Sequence, residues 1–236
     1  MKIYGHRGAP NECPENTLAS FNRAIDQGAD MVELDVYKIS DGTLVVHHDE
    51  HLGRCEDYSG YIRDMDIGGV KTITPNRGFG EEFSFVTIPT LDEVLEMVYD
   101  TDAGVNIEIK YQGINGVTDD IVLLLESYRM RDRCIISSFT KSYILTLKEK
   151  YPYIKCGVIY EKPFEENVWE YCKKYRIDAV FPHHKSVDAH MMNNCRKAGV
   201  EVYPWLLNTT SDMEKMRSMG VNGIVTDNVS EAVNLK

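Results

Sequence analysis

Short runs rich in β-branched residues alternate with helix-like stretches along the whole chain. The strand-like runs fall at 2–6, 31–37, 104–110, 134–139, 155–160, 178–183, 200–207 and 223–227. Between them, residues 15–27 carry Leu18, Phe21 and Ile25 at helical spacing and stop at Gly28. Thr90–Glu93 and Ser211–Glu214 read as capping boxes, in which a hydroxyl and a glutamate each satisfy an exposed N–H. Residues 117–128, 140–150, 165–175, 188–198 and 229–235 supply further helices.

Such alternation predicts a parallel sheet covered by helices. Eight units in 236 residues, of which 43% are hydrophobic, favour a closed (β/α)8 TIM barrel over an open sheet. Leu44-Val45-Val46-His47 reads as a side extension of the second unit. The interval 49–89 breaks the rhythm with Gly60, Gly68, Gly69, Pro75, Gly78 and Gly80. It is expected to be a small insertion after the second strand of a single domain spanning 1–236. An insertion there lies over the C-terminal mouth of a barrel, where active sites form.

The net charge of −11 argues against nucleic-acid binding, which needs a basic face. An anionic ligand would need its own local cation. MKIYGHRG lacks the apolar region of a signal peptide, and no run of 18 apolar residues predicts a membrane span. The six cysteines are scattered without a CxxC pair, as expected of free thiols in a reducing, cytoplasmic setting.

Four stretches carry chemistry. In MVELDVYK, alternation puts Val32, Leu34 and Val36 toward the helices and Glu33 and Asp35 toward the barrel interior. Two inward carboxylates repel and are poorly solvated. Either a divalent cation relieves them, since hard cations prefer oxygen ligands, or lysines and arginines meet them in a buried network. In GVNIEIK, Asn106, Glu108 and Lys110 face inward. Glu108 is placed to be a third carboxylate on the same cation, and Lys110 to meet a phosphate; a plain Glu-Lys salt bridge is the alternative. TLVVHHDEHL crowds three histidines and two acids at a strand end, where an imidazole can exchange protons and a carboxylate can orient it. In GHRGAPNECPENT, His6 and Arg7 end the first strand, at the same rim. The Arg7 fork fits a phosphate, and Gly5 and Gly8 let the backbone bend toward a ligand. Asn16 is either the cap of the following helix or part of the site.

HRGAPNECPENTLASF, GADMVELDVYKISDGTLVVHHDEHLGR and NIEIK, in that order and spacing, resemble the glycerophosphodiester phosphodiesterase family. A weaker likeness continues through YPWLLN, residues 203–208, and GIVTD, residues 223–227. The first two motifs together are specific; NIEIK alone is not. The resemblance implies a (β/α)8 barrel with an insertion at about 49–89. It also implies metal-dependent hydrolysis of glycerophosphodiesters to sn-glycerol 3-phosphate and an alcohol. Carried over, Glu33, Asp35 and Glu108 would hold a divalent cation, Mg²⁺ or Ca²⁺. His6 and His48 would be the acid–base pair, His48 rather than His47 because it directly precedes Asp49. Arg7 and Lys110 would contact the phosphate, Asn16 would help to hold that site, and Trp205 would face the substrate. Ser20 and Ile39 stand where the family usually has alanine and threonine. The run around Trp205 also departs from the family, which leaves the alcohol open.

Three other functions fit parts of the pattern. Lysophospholipase-D-like activity would use Tyr58, Tyr61, Ile62, Met65, Phe79, Phe83 and Phe85 of the insertion as an acyl channel; packing onto the barrel is their alternative role. A non-catalytic phosphate-binding barrel would lack a catalytic group, yet all the positions are filled. A glycosidase built on Glu33 and Glu108 would need no metal.

Overall fold

The computed structural model describes residues 1–236 except 111, 112, 114, 115, 163, 165 and 166. Eight parallel strands form the barrel wall: β1 (Lys2–His6), β2 (Met31–Lys38), β6 (Gly104–Ile109), β7 (Cys134–Ser138), β8 (Cys156–Tyr160), β9 (Ala179–Pro182), β10 (Glu201–Val202) and β11 (Gly223–Thr226). They run in the order β10-β9-β8-β7-β6-β2-β1-β11. The last edge is bridged by backbone hydrogen bonds from Asn222 N to Val202 O (3.0 Å), from Val225 N to Pro204 O (3.0 Å) and from Leu207 N to Val225 O (3.0 Å). Helices α1 (Leu18–Asp26), α3 (Leu91–Tyr99), α4 (Val117–Ser127), α5 (Lys141–Lys150), α6 (Val168–Tyr175), α7 (Ala189–Ala198), α8 (Thr210–Met219) and α9 (Val229–Val233) follow the strands in turn.

The expected (β/α)8 TIM barrel is therefore the fold. The main core lies between strands and helices: Val32, Leu34, Val36, Val105, Ile107 and Ile109 meet Phe21, Leu95, Ile121 and Leu125 there. A smaller cluster of Tyr4, Ile135, Phe181, Tyr203 and Val225 fills the interior. Chains of this kind bury one apolar layer outside the wall and one inside, so a polar site survives only at the mouth.

The segment after β2 adds β3 (Leu44–Val46), antiparallel to β2, and a hairpin of β4 (His51–Leu52) and β5 (Gly60–Tyr61). A single helical turn, α2 (Ile67–Val70), follows. Leu52, Ile62, Val70, Ile73 and Ile88 bury a core of their own against Tyr37, Ile39 and Val45.

Several expectations are corrected. The run 200–207 is a strand only at Glu201–Val202, because Pro204 has no N–H to donate; Trp205 rejoins the wall by an isolated bridge to His183. Helix α8 is capped by Thr209, whose hydroxyl accepts from Asp212 N at 3.2 Å, and Ser211 lies inside it. The Thr90–Glu93 capping box is present. Helix α6 begins at Val168; Glu165 and Glu166, expected in it, lie outside the described residues.

The glycines of the first loop also serve a different end. A β-carbon on Gly5 would meet Gly8 O at 2.6 Å and Ala24 Cβ at 2.9 Å, and one on Gly8 would collide with the backbone and hydroxyl of Ser20. Gly8 also has φ +92°. These glycines let the loop press on α1. Gly8→Ala is expected to cost about 3 kcal/mol or more, by adding left-handed strain to a backbone collision, measured as a lower denaturant midpoint at unchanged slope.

Candidate functional site

Strand register builds the site. His6 pairs with Glu33 across β1 and β2; Glu33 pairs with Asn106 and Asp35 with Glu108 across β2 and β6. Lateral neighbours in a parallel sheet point the same way, so these side chains converge on one face. Glu33, Asp35 and Glu108 each offer an oxygen, and these oxygens lie within 4.8 Å of one another, all three residues buried. Oxygens on opposite sides of a calcium ion, each about 2.3 to 2.6 Å from it, are about 5 Å apart. The spacing and the all-oxygen donor set therefore fit a hard divalent cation.

The charges fit as well. Asp35 is held by Asn16 Nδ2 at 2.9 Å, Lys110 Nζ at 3.4 Å and Arg7 Nε at 3.5 Å. Burial opposes its ionisation, but Lys110 and Arg7 hold its carboxyl below the usual range. Lys110 also pairs with Glu108 at 2.9 Å. Part of the buried amine network considered from sequence is thus real. It does not reach Glu33, which among the described residues accepts only the Arg7 backbone N–H, at 3.1 Å. Burial, with Asp35 and Glu108 alongside, pushes the Glu33 carboxyl well up. Burial and Asp35 likewise push Glu108 up to about 7, against the pull of Lys110. Ionised together, the three carboxylates would outnumber the two cationic side chains beside them, Lys110 and Arg7.

Arg7 and Asn16 reach the site through strained backbone. Both adopt left-handed φ, 54° and 55°. Residues without a glycine's freedom pay about 1 to 3 kcal/mol for this, and such outliers cluster at functional sites. Asn16 N donates to Arg7 O at 3.0 Å, closing the loop. Asn16 does not cap α1: Thr17 does, accepting from Ser20 N. With the cap assigned elsewhere, the Asn16 amide turns inward onto Asp35. Arg7 Nη1 donates to Glu15 Oε1 at 2.8 Å, while its buried Nε faces Asp35 Oδ2 at 3.5 Å. Arg7 lines the cavity beside Lys110, and a guanidinium in that place suits an incoming anion.

Each histidine is tied to a carboxylate through Nδ1: His6 to Asp227 Oδ1 at 2.7 Å and His48 to Asp49 Oδ1 at 2.6 Å. Such a partner fixes the ring and leaves the other nitrogen toward the cavity. Burial lowers the His48 pKa, with Asp35 opposing. His47 is buried against Glu56, with 3.5 Å between Nε2 and Oε1, outside the cavity. Asp227 is itself held by Asn208 Nδ2 at 2.6 Å. Neither residue is given a role by the sequence, although Asn208 ends YPWLLN and Asp227 ends GIVTD, the two weaker likenesses to the family.

The cavity is lined by the polar His6, Arg7, Glu33, His48, Asn106, Glu108 and Lys110 and by the apolar Phe139, Ile159, Phe181, Trp205 and Val225. Trp205 is fixed by Nε1 donating to Phe181 O at 2.9 Å, and Phe139 meets it edge-on, centroids 5.7 Å apart. None of the insertion residues considered for an acyl channel is in this lining. All six cysteines are free, and among the described residues no helix is long and apolar enough to cross a membrane.

A parallel barrel whose mouth sets two oriented imidazoles, two fixed cations and a carboxylate triad around one small cavity belongs with the barrel proteins that handle anionic esters. Which of these it is follows from the comparison with known proteins: the chain belongs to the glycerophosphoryl diester phosphodiesterase family, whose model matches residues 6–231. A glycerophosphodiester phosphodiesterase of Caldanaerobacter subterraneus subsp. tengcongensis is 36% identical over 236 residues, covering 99% of this chain and 96% of its own. An Oleispira antarctica phosphodiesterase, solved in complex with the product sn-glycerol-3-phosphate, superposes with a TM-score of 0.92 at 27% identity, covering 99% of this chain and 97% of its own. The glycerophosphodiester phosphodiesterase of Thermotoga maritima gives 0.81 at 32% identity, covering 99% and 97%.

Proposed function

We propose that this protein hydrolyses glycerophosphodiesters to sn-glycerol 3-phosphate and an alcohol, with a divalent cation, Mg²⁺ or Ca²⁺, held by Glu33, Asp35 and Glu108. The observation that carries the reading is the meeting in one cavity of Glu33 and Glu108, with Asp35 close beside them, and of Arg7, Lys110 and two carboxylate-oriented histidines. The product held by the Oleispira relative supports the substrate class. A doubly charged ion would favour the ionised form of all three carboxylates. When bound, such an ion supplies Lewis acidity toward the phosphoryl oxygens and lowers the cost of charge building there.

Arg7 and Lys110 would bind and orient the phosphoryl group. One histidine would take the proton of the attacking oxygen through its free nitrogen; attack by water gives the monoester directly, whereas attack by the glycerol 2-hydroxyl gives a cyclic phosphodiester that water must then open. The other would donate a proton to the alcohol oxygen as the P–O bond breaks. Asp227 and Asp49 hold the rings to that task. Asn16 would steady the phosphate site through Asp35, and Trp205 with Phe139 would contact the carbon skeleton of the substrate. The segment at 49–89 would act as a small inserted subdomain beside the mouth. The free thiols support a cytoplasmic setting.

Release of glycerol 3-phosphate, assayed across several diesters and one lysophospholipid with and without EDTA, tests the activity, the substrate and the metal together. No release from any diester would defeat the proposal, and EDTA-resistant release would defeat its metal component.

The cation site has a signature in pH. A carboxyl whose pKa is higher folded than unfolded stabilises the fold fully below its ordinary value, and that contribution is lost as pH rises through the folded value, about 7 for Glu108. A divalent cation competes with that proton. The rise in melting temperature on adding Ca²⁺ or Mg²⁺ to chelated protein should therefore be small at about pH 5 and larger at about pH 8. An equal rise at both would count against the site.

A further inference from the structure

Arg54, from the segment after β3, touches neither the cavity nor the triad, yet it links both of the site's flanks. Its Nε donates to Asp49 Oδ2 at 2.5 Å, while the other Asp49 oxygen holds His48 Nδ1 at 2.6 Å. Its Nη1 and Nη2 donate to Glu15 Oε2 at 2.8 Å and Oε1 at 2.6 Å, and Glu15 Oε1 also accepts from Arg7 Nη1 at 2.8 Å. A single alternating chain of charge thus runs Arg7, Glu15, Arg54, Asp49, His48. It crosses from the β1–α1 loop to the segment after β3, which are 39 residues apart in sequence.

We propose that Arg54 is a positioning residue that sets Arg7 and His48 together across the cavity mouth, a role that rests on the function proposed above. The chemistry is specific to a guanidinium. Arg54 uses Nε on one carboxylate and its terminal fork on the other, a geometry that an ammonium cannot reproduce. Two carboxylates need it. Without Arg54, Asp49 is free to swing away from the His48 ring. Glu15 would then lean its full charge on Arg7, which already serves Asp35, and so compete with a phosphate for the same cation. Burial opposes Glu15's ionisation, but Arg54 and Arg7 hold its carboxyl down at about 2, so the bridge is charged throughout the working range. The Arg54 side chain is 46% exposed, and ion pairs at such sites contribute little to folding. Its placement therefore points to alignment rather than to stability.

The test compares wild type, Arg54→Met, Arg54→Lys and Glu15→Gln. Glycerophosphocholine serves as the turnover probe, and sn-glycerol 3-phosphate, titrated calorimetrically, as the binding probe. Arg54→Met should lower kcat by about 10- to 100-fold, the usual effect of losing a residue that orients a reacting group, and should weaken glycerol 3-phosphate binding, with the melting temperature nearly unchanged. Arg54→Lys should recover only part of the loss. Added methylguanidinium should restore turnover to Arg54→Met but not to His48→Ala. Glu15→Gln, which breaks the bridge from the barrel side, should reproduce the loss should the methionine variant fold poorly. A kcat for Arg54→Met within twofold of wild type, or a loss that lysine repairs in full, overturns the role. Failure of the wild-type protein to release glycerol 3-phosphate would instead strike the proposed activity, while the binding comparison would still judge the bridge.

Discussion

Asp35→Asn is expected to lower turnover of glycerophosphodiesters by about 10³-fold or more while the barrel stays folded. A bound cation contributes several kcal/mol to charge stabilisation in a phosphoryl transition state, and each 1.36 kcal/mol is about tenfold in rate. Asp35 is the member of the triad held in the charged form by its neighbours, Lys110, Arg7 and Asn16. An amide in its place removes one negative charge from the donor set and turns an N–H toward the remaining ligands. The fold should tolerate this because neither cation is orphaned. Lys110 keeps Glu108 at 2.9 Å and Arg7 keeps Glu15 at 2.8 Å. Steady-state rates over a range of Mg²⁺ and Ca²⁺, with a melting curve on the same sample, check both halves. Wild-type turnover by the variant in chelator would remove the metal from the proposal.

The second large effect concerns the imidazoles. His6→Ala and His48→Ala should each lower kcat/KM for a natural diester by about 10²- to 10⁴-fold, the usual contribution of a placed proton donor or acceptor. A p-nitrophenyl ester leaves without protonation, so it should partly rescue whichever variant has lost the acid and not the other. His6 holds Asp227 and His48 holds Asp49 through equivalent bonds, so geometry alone leaves the two roles exchangeable. Both rings line the cavity and neither joins an apolar cluster, so the loss should appear in rate and not in stability. Unchanged rates for both variants would refute acid–base catalysis by this pair.

Much of this site is legible along the chain because the strand period is simple. Glu33 and Asp35 share a face for the same reason that Val32, Leu34 and Val36 share the other, and the apolar residues are indeed in the outer core. The choice of His48 over His47 rests on the family resemblance, in which the histidine directly precedes an aspartate, and His47 lies outside the cavity beside Glu56. Along the chain Asn16 fits either role, because capping and ligand-holding both favour a short amide. The choice depended on Thr17, one residue away, taking the cap. Asp227 could not have been paired with His6, 221 residues earlier, without knowing that β11 closes on β1.

Local patterning by itself determined the number of strand–helix units, the inward carboxylates, the apolar layer outside the wall and the rim on which His6, Arg7 and His48 stand. Tertiary structure decided which strands lie side by side and in what register. It thereby placed Asp35 opposite Glu108, left Glu33 without an ion pair to a cationic side chain among the described residues, gave His6 and His48 an acid each, and ran Arg54 between the two flanks. The physical reason is one of range. Side-chain alternation is fixed within a few residues by backbone geometry, whereas a charge acquires its partner, and so its meaning, only when barrel closure brings distant strands within one hydrogen-bond length.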